Sequence, residues 1–289
     1  MAIQWFPGHM AKARREVQEK LKLVDFVIEL VDARAPLASE NPMLHQILNQ
    51  KPKMKVLMKK DLADPKQTQA WIDYYQTKGI KAIAVNVERR EDIKAVVDLA
   101  KEMAHEKLER MRKKGIRPRP SRAMIIGIPN VGKSTLINRL AKKKIAKTGD
   151  RPGITTSQQW IKVKKDFELL DTPGILWPKF EDEIIGYRLA AIGTIKDQIL
   201  SIQDIVVYLL RYLQARYLHL LVERYQIDAR DYEVVELFEH IGALRGALQP
   251  GGDVDYTKTA ELIIRDFRSG KLGLITLETP EDHRVIEDA

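Results

Sequence analysis

Lys133 and Ser134 close the run Gly127-Ile128-Pro129-Asn130-Val131-Gly132-Lys133-Ser134, which has the G-x-x-x-x-G-K-S spacing of a P-loop. Gly127 and Gly132 free the backbone to curl, so that N–H groups from Asn130 through Val131 and Gly132 to Thr135 turn toward phosphate oxygens. Lys133 brings a point charge to the outer phosphates, and the Ser134 hydroxyl is placed for Mg²⁺. The alternative is a chance glycine-rich turn. It is opposed by the flanking pattern: Arg122 to Ile126 is an apolar run suited to a buried strand, and Thr135 to Ala141 puts Leu136, Ile137 and Leu140 on one helical face.

A P-loop alone fits an ATPase, a kinase or a GTPase, and three further stretches choose among them. Asp171-Thr172-Pro173-Gly174 is D-x-x-G at a strand end; Asp171 can hold Mg²⁺ through a water, and the Gly174 N–H can meet a γ-phosphate. Thr155, with Thr156 as the neighbouring alternative, lies between the P-loop helix and that strand, where a threonine completes the Mg²⁺ shell. Lys59-Lys60-Asp61 resembles the guanine-reading N-K-x-D motif. Asp61 would accept from guanine N1–H and N2–H₂, a donor pair that adenine lacks, while the Lys59 stem covers the base. Asn86 falls where a second base-binding loop belongs. Met58 stands at the motif's asparagine and cannot make its amide contacts, so weaker nucleotide binding is expected, with guanine preference kept by Asp61. The order is inverted: in Ras-like proteins the P-loop comes first, whereas here the base motif precedes it. The chain reads as a circular permutant joined through Lys114 to Ser121, with the γ-phosphate loop feeding directly into a C-terminal helical domain.

Those sites need a frame. The 289 residues carry 44% hydrophobic and 31% charged side chains, enough for a sizeable core in one or two domains. No cysteine is present, which removes disulfides, thiolate metal sites and cysteine nucleophiles. No apolar run approaches the ~18 residues of a membrane span, and Met1 to Met10 lacks a signal-peptide core, so a cytoplasmic protein with no membrane partner is expected. The net charge of +9 favours polyanions, nucleic acid first. Basic residues crowd two blocks flanking the P-loop, Lys101 to Arg122 and Lys133 to Arg151.

Strands are expected over Asp25–Asp32, Lys55–Met58, Ile80–Val87, Gln158–Lys164 and Phe167–Leu170, beside the P-loop strand. Helices are expected over Ala11–Leu23, Asn41–Asn49, Pro65–Lys78 and Glu91–Lys113. After Pro178 the pattern turns helical, over Asp182–Ile192, Asp204–Tyr225, Tyr232–Ile241 and Thr257–Arg268, with a weak strand at Leu272–Leu277. The fold class is therefore α/β: a circularly permuted Ras-like P-loop domain with a mainly parallel sheet and helices on both faces, then a small all-helical domain. The boundaries are residues 1–177, including an N-terminal arm over 1–22, and 178–289.

With Trp5-Phe6-Pro7-Gly8-His9-Met10-Ala11-Lys12-Ala13, Asp32-Ala33-Arg34 with Pro36, Gly127 to Thr135, Asp150 to Thr156 and Leu169 to Asp182 in hand, the chain closely resembles the ribosome biogenesis GTPase A (YlqF/RbgA) family of circularly permuted GTPases. The resemblance spans nearly the whole chain. It implies GTP hydrolysis coupled to late assembly of the large ribosomal subunit, and a C-terminal helical domain that binds ribosomal RNA; no DNA partner is expected. The position after D-x-x-G is Ile175, which cannot orient water. His9, displayed by a Pro-Gly turn, either positions that water or serves packing or RNA contact. Asn130 either helps hold a K⁺ near the phosphates, as in related GTPases, or stabilises its loop. A non-hydrolysing GTP-dependent RNA scaffold is the alternative function, and an ATPase or small-molecule kinase the third. In the last domain Lys258, Arg265, Arg268 and Lys271 are candidate phosphate contacts, and the tyrosines and leucines of Val207 to Leu221 are read as core.

Overall fold

The computed structural model describes residues 15–42, 47–48, 51–117, 119–143, 145, 159–164, 167–172, 174, 182–195, 200–227, 230 and 232–282. Strands β1 (Phe26–Asp32), β2 (Lys53–Met58), β3 (Lys81–Val85), β4 (Ser121–Gly127), β5 (Gln159–Lys164) and β6 (Phe167–Asp171) form one sheet in the order β3-β2-β1-β4-β6-β5. Every neighbouring pair is parallel except β5 with β6. β1 is central and buried along its whole length, which is why its sequence is a continuous apolar run with no alternation.

Helices α1 (Pro65–Thr77) and α2 (Arg90–Lys113) follow β2 and β3, and α3 (Lys133–Ala141) follows β4. Asp64 caps α1, accepting from the Lys66 N–H at 2.8 Å, and Pro65 takes the first-turn position where no N–H is missed. Phe26, Ile28 and Leu30 face a core shared with Val96, Ala100, Leu136 and Leu140. Val27 faces the other way, against Val17 and Leu21 of the helical residues 15–21, and Val31 packs with Trp71 and Tyr75. That second face also takes a charge inside: Lys55 Nζ lies 3.3 Å from Glu29, 2.5 Å from Glu40, and 4.6 Å from the centre of the Tyr75 ring. β3 is shorter than expected because Asn86 turns the chain, its N–H donating to Asp92 and its Oδ1 accepting from Glu88.

The second half holds α4 (Glu183–Ala191), α5 (Ile202–Arg216), α6 (Leu218–Tyr225), α7 (Val234–Leu244) and α8 (Tyr256–Arg268). Its Leu189, Leu209, Leu213, Ile263 and Phe267 belong to the same apolar cluster as Ile28 and Leu136. The single helix expected over Asp204–Tyr225 is two helices, bent by 111° at Tyr217. The break has a tertiary cause: the Tyr217 hydroxyl bonds Asp64 at 3.0 Å and the Thr276 carbonyl at 3.3 Å. Among the described residues no single helix is long and apolar enough to cross a membrane.

Leu272–Leu277 forms no strand, contrary to the sequence reading. It is instead a strap, buried except around Leu274, laid over loops of the sheet half. The Ile275 N–H donates to the Leu62 carbonyl (3.2 Å), the Leu277 N–H to the Arg34 carbonyl (2.7 Å), and the Thr276 hydroxyl accepts from the Asp64 N–H (3.2 Å). Just beyond, the fully buried Glu278 carboxylate accepts from the Leu37 and Ala38 N–H groups and pairs with Arg188 at 2.9 Å.

Burial pushes the Glu278 carboxyl up to about 7, although Arg188 and the two N–H groups pull it back. The folded chain then keeps a proton that the unfolded chain has shed above its ordinary 4.5, so stability from this group is present at low pH and is lost as pH rises from 4.5 to about 7. Urea unfolding of wild type and Glu278→Gln across that range tests this. The stability of wild type relative to the variant should fall with rising pH up to about 7 and level off above it; a difference independent of pH contradicts it.

Candidate nucleotide site

The carboxyl ends of β1, β2, β3, β4 and β6 collect at one edge of the sheet, the place where open α/β sheets bind ligands. The P-loop leaves β4 there. Gly132 has φ 102°, which a side-chain-bearing residue adopts only under strain, and it hands the chain directly to α3. Gly127 is packed too closely for any side chain: a Cβ would lie 2.9 Å from Val131 and 3.1 Å from Leu30. Met58 sits behind this loop. It is buried in the core, and its methyl would lie 3.1 Å from a Cβ on Gly132. The residue that replaces the motif's asparagine therefore supports the phosphate loop by packing.

Lys133 and Asp171 form a buried ion pair across the ends of β4 and β6. Burial depresses the Lys133 ammonium, and Asp171 offsets part of that. The second carboxylate oxygen of Asp171 is buried with no hydrogen-bond partner, and Ser134 stands on the first turn of α3 nearby in the chain. A magnesium ion needs only one or two protein oxygens beside phosphates and water, so this donor set fits one. Thr172 is fixed by its hydroxyl donating to the Ile125 carbonyl at 2.8 Å. Gly174 lies against the P-loop backbone, where a Cβ would come 3.1 Å from both N and Cα of Pro129. The D-x-x-G loop and the P-loop are thus in direct contact.

The base loop is anchored from behind. Lys59 takes a left-handed φ of 59° as β2 ends and Lys60–Leu62 forms a 3₁₀ turn. Its ammonium donates to Asp32 at 2.9 Å and to the Asn130 carbonyl of the P-loop at 3.0 Å. Asp61 is left exposed beside it. Lys60 pairs with Asp92, whose carboxylate also takes the Asn86 N–H, so the loops after β2 and β3 share one acid. The Asn86 side-chain oxygen is used within its own turn.

Asp32, the last residue of β1, is the junction. Arg34 grips it with two bonds of 2.9 Å, and both side chains are buried. Burial alone would raise the Asp32 carboxyl; the charges and hydrogen bonds of Arg34 and Lys59 win, and hold it well below the usual carboxylate range. Arg34 also donates to the Ile192 carbonyl at 3.2 Å, and the Asn130 amide donates to the Gly193 carbonyl at 3.0 Å. Arg268 takes the two preceding carbonyls, Ala190 at 2.7 Å and Ala191 at 3.0 Å. It thereby caps α4, a use of its charge that the sequence does not suggest. The end of α4 is held by three side chains, two of them from the nucleotide edge.

His9, Thr155, Thr156 and Ile175 lie outside the described residues, as do Trp5 and Phe6. Gly174, Asp171, Lys133, Ser134, Thr135, Val131, Gly132, Asn130, Lys59, Asp61 and Asn86 all fall at the carboxyl edge of the sheet. In the sequence, Asp32 and Arg34 support the family resemblance without a role of their own. The signal that could have given them one is an acid and an arginine two residues apart at the end of an apolar strand.

Residues 122–242 match a family described as the 50S ribosome-binding GTPase. The chain is 58% identical to Ribosome biogenesis GTPase A of Bacillus cereus, over 98% of this chain and 95% of the relative. It is 58% identical to the protein of the same name from Priestia megaterium, over 98% of each. Among solved structures, GNP-bound YlqF from T. maritima superposes with a TM-score of 0.65 at 27% identity, covering 93% of this chain and 99% of that one.

Replacing Asp32 by alanine should cost about 3–5 kcal/mol, because it strands the buried Arg34 charge; chemical denaturation measures it, and a loss below ~1 kcal/mol contradicts the role given to this junction. Gly174→Ala should force the D-x-x-G loop off Pro129. GDP binding should survive while turnover falls by about 100-fold, and unchanged turnover would show that the contact carries no function.

Proposed function

Because the chain belongs to the ribosome biogenesis GTPase A family and is a GTP hydrolase acting in ribosome biogenesis, we propose that it docks on precursors of the large ribosomal subunit and couples hydrolysis to their late assembly, leaving once GTP is spent. The observation that carries the coupling is the bonding of the two carbonyls that follow α4, those of Ile192 and Gly193, to Arg34 and Asn130. We read the motif order as a circularly permuted Ras-like domain over residues 1–177, followed by a ribosomal-RNA-binding domain over 178–289, working in the cytoplasm.

In this reading Asp61 selects guanine by accepting from its N1–H and N2–H₂, and Lys59 lies along the base. Asn86 shapes the second base loop. The N–H groups of Asn130 to Thr135 take up phosphate oxygens, and Lys133 exchanges its bond to Asp171 for one to the outer phosphates. Ser134, Thr155 and Asp171 would hold Mg²⁺, which neutralises charge on the β- and γ-phosphates when bound. Gly174 donates its N–H to the γ-phosphate, and its packing on Pro129 makes any movement of the sensor loop felt in the P-loop. Water is oriented from outside the D-x-x-G loop, by His9. A K⁺ held beside Asn130 fits less simply, since that side chain donates to Gly193.

The test is GTP turnover by the chain alone and with purified large subunits, in K⁺ and in Na⁺ buffer. Turnover should be slow alone and strongly stimulated by subunits. His9→Ala should lose about 100-fold of the stimulated rate with GTP affinity intact. Stimulation in K⁺ but not Na⁺ would assign charge stabilisation to the ion. Subunits that leave turnover unchanged would overturn the coupling.

A further inference from the structure

We propose that the amino-terminal pole of the sheet, the end opposite the nucleotide loops, is a docking surface for the phosphate backbone of RNA. This rests on the reading that the protein works on ribosomal RNA, and it adds where a second contact lies.

The topology builds the surface. Five parallel strands start at this pole, and neighbouring strands are ~4.8 Å apart, so the row of starts spans about 19 Å. Cations sit on those starts. Lys53 opens β2 opposite Val27, and Lys81 opens β3 opposite Met54. Arg122 lies at the start of β4, and Lys164 at the end of the antiparallel β5 is paired with Phe167, the first residue of β6. The helix α2 runs back to the same pole and ends Arg112-Lys113-Lys114, followed by Arg117.

The two ends of the sheet treat their cations differently. At the nucleotide edge Lys59, Lys60, Arg34 and Lys133 are each paired with an aspartate. At the opposite pole the acids are fewer than the cations: Asp25 serves Arg119, Glu102 serves Lys81, Glu109 serves Arg112 and Glu168 serves Arg122. Among the described residues Lys114, Arg117, Lys162 and Lys164 make no ion pair, though Lys162 stands opposite Glu168, which is engaged by Arg122; all four are exposed. Uncompensated, spread cations are what a polyphosphate chain needs, since each phosphate contact releases counterions. An aromatic plate lies beside this pole, not on it: Trp160 is on the edge strand opposite Leu170, and Arg122 reaches to it from the start of β4. Trp160 is 40% exposed, with the Arg122 guanidinium 4.8 Å from its ring centre, an arrangement on which an unpaired base can stack. A lysine-bearing edge strand also discourages sheet-to-sheet pairing, but that role does not call for Lys114 and Arg117 on a different element.

The experiment uses the full chain and protein-free large-subunit ribosomal RNA, with binding measured at several salt concentrations. The variant is Lys114→Gln, Arg117→Gln, Lys162→Gln and Lys164→Gln together, and its basal GTP turnover without RNA should match wild type. Its log–log salt slope should fall by about 3 and its low-salt affinity by at least ~10-fold. Trp160→Ala should weaken binding without changing the slope. A variant with the wild-type slope overturns this surface alone. Binding by the variant that is unchanged for RNA but lost for phosphatidylserine vesicles overturns it in favour of a membrane. Wild type that fails to bind the RNA at all overturns the ribosomal-RNA reading and this surface together.

Discussion

One buried carboxylate organises the nucleotide edge. Asp32 ends the central strand and has no water to solvate it, so its charge must be met by the protein. Two cations meet it from different directions. Arg34 belongs to its own loop and reaches on to α4; Lys59 belongs to the base loop and reaches on to the P-loop. The cost of leaving a charge unpaired in the interior makes these positions interdependent: moving Arg34 or Lys59 away from Asp32 strands a charge. That constraint ties these loops to the helical half alongside the apolar core that the two halves share.

The helical half responds through ordinary helix chemistry. The last carbonyls of an α-helix have no partner within it and must find one outside. In α4 those of Ala190 and Ala191 find Arg268, and the next two carbonyls, just past the helix, find Arg34, which also holds Asp32, and Asn130 of the P-loop. The strap at the far end of the chain closes the same unit, with Thr276 and Leu277 bonded to the loops after β1 and before α1. The helical half therefore grips the nucleotide edge twice, at the phosphate side and at the base side. A change at either side has a short route into it, which is what a nucleotide switch requires.

Local patterns carry most of the sheet half. The P-loop, the D-x-x-G loop and the apolar strand runs have strong short-range signatures, and each lies within a few residues of its expected bounds. The features that escape such patterns are long-range. Arg34 and Ile192 are 158 residues apart, and Leu37 and Glu278 are 241 apart, and no periodicity announces such pairs. Tyr217 breaks an expected helix because of bonds to Asp64 and Thr276, which helix propensity cannot register. In the sequence Met58 stands out for the amide it lacks, whereas its place in the structure is set by volume behind Gly132. Asn86 has the spacing of a base ligand, and its side chain is also a turn former, a use equally native to asparagine.

The central claim is that the γ-phosphate is sensed in the helical half through this network. Hydrogen exchange of residues 188–195 and 272–279, compared between the GDP-bound chain and the chain bound to a non-hydrolysable GTP analogue, tests it most directly. The account predicts a difference in protection at the end of α4 that disappears in Asp32→Asn. Identical exchange in the two nucleotide states, with the P-loop itself showing a difference, would contradict it.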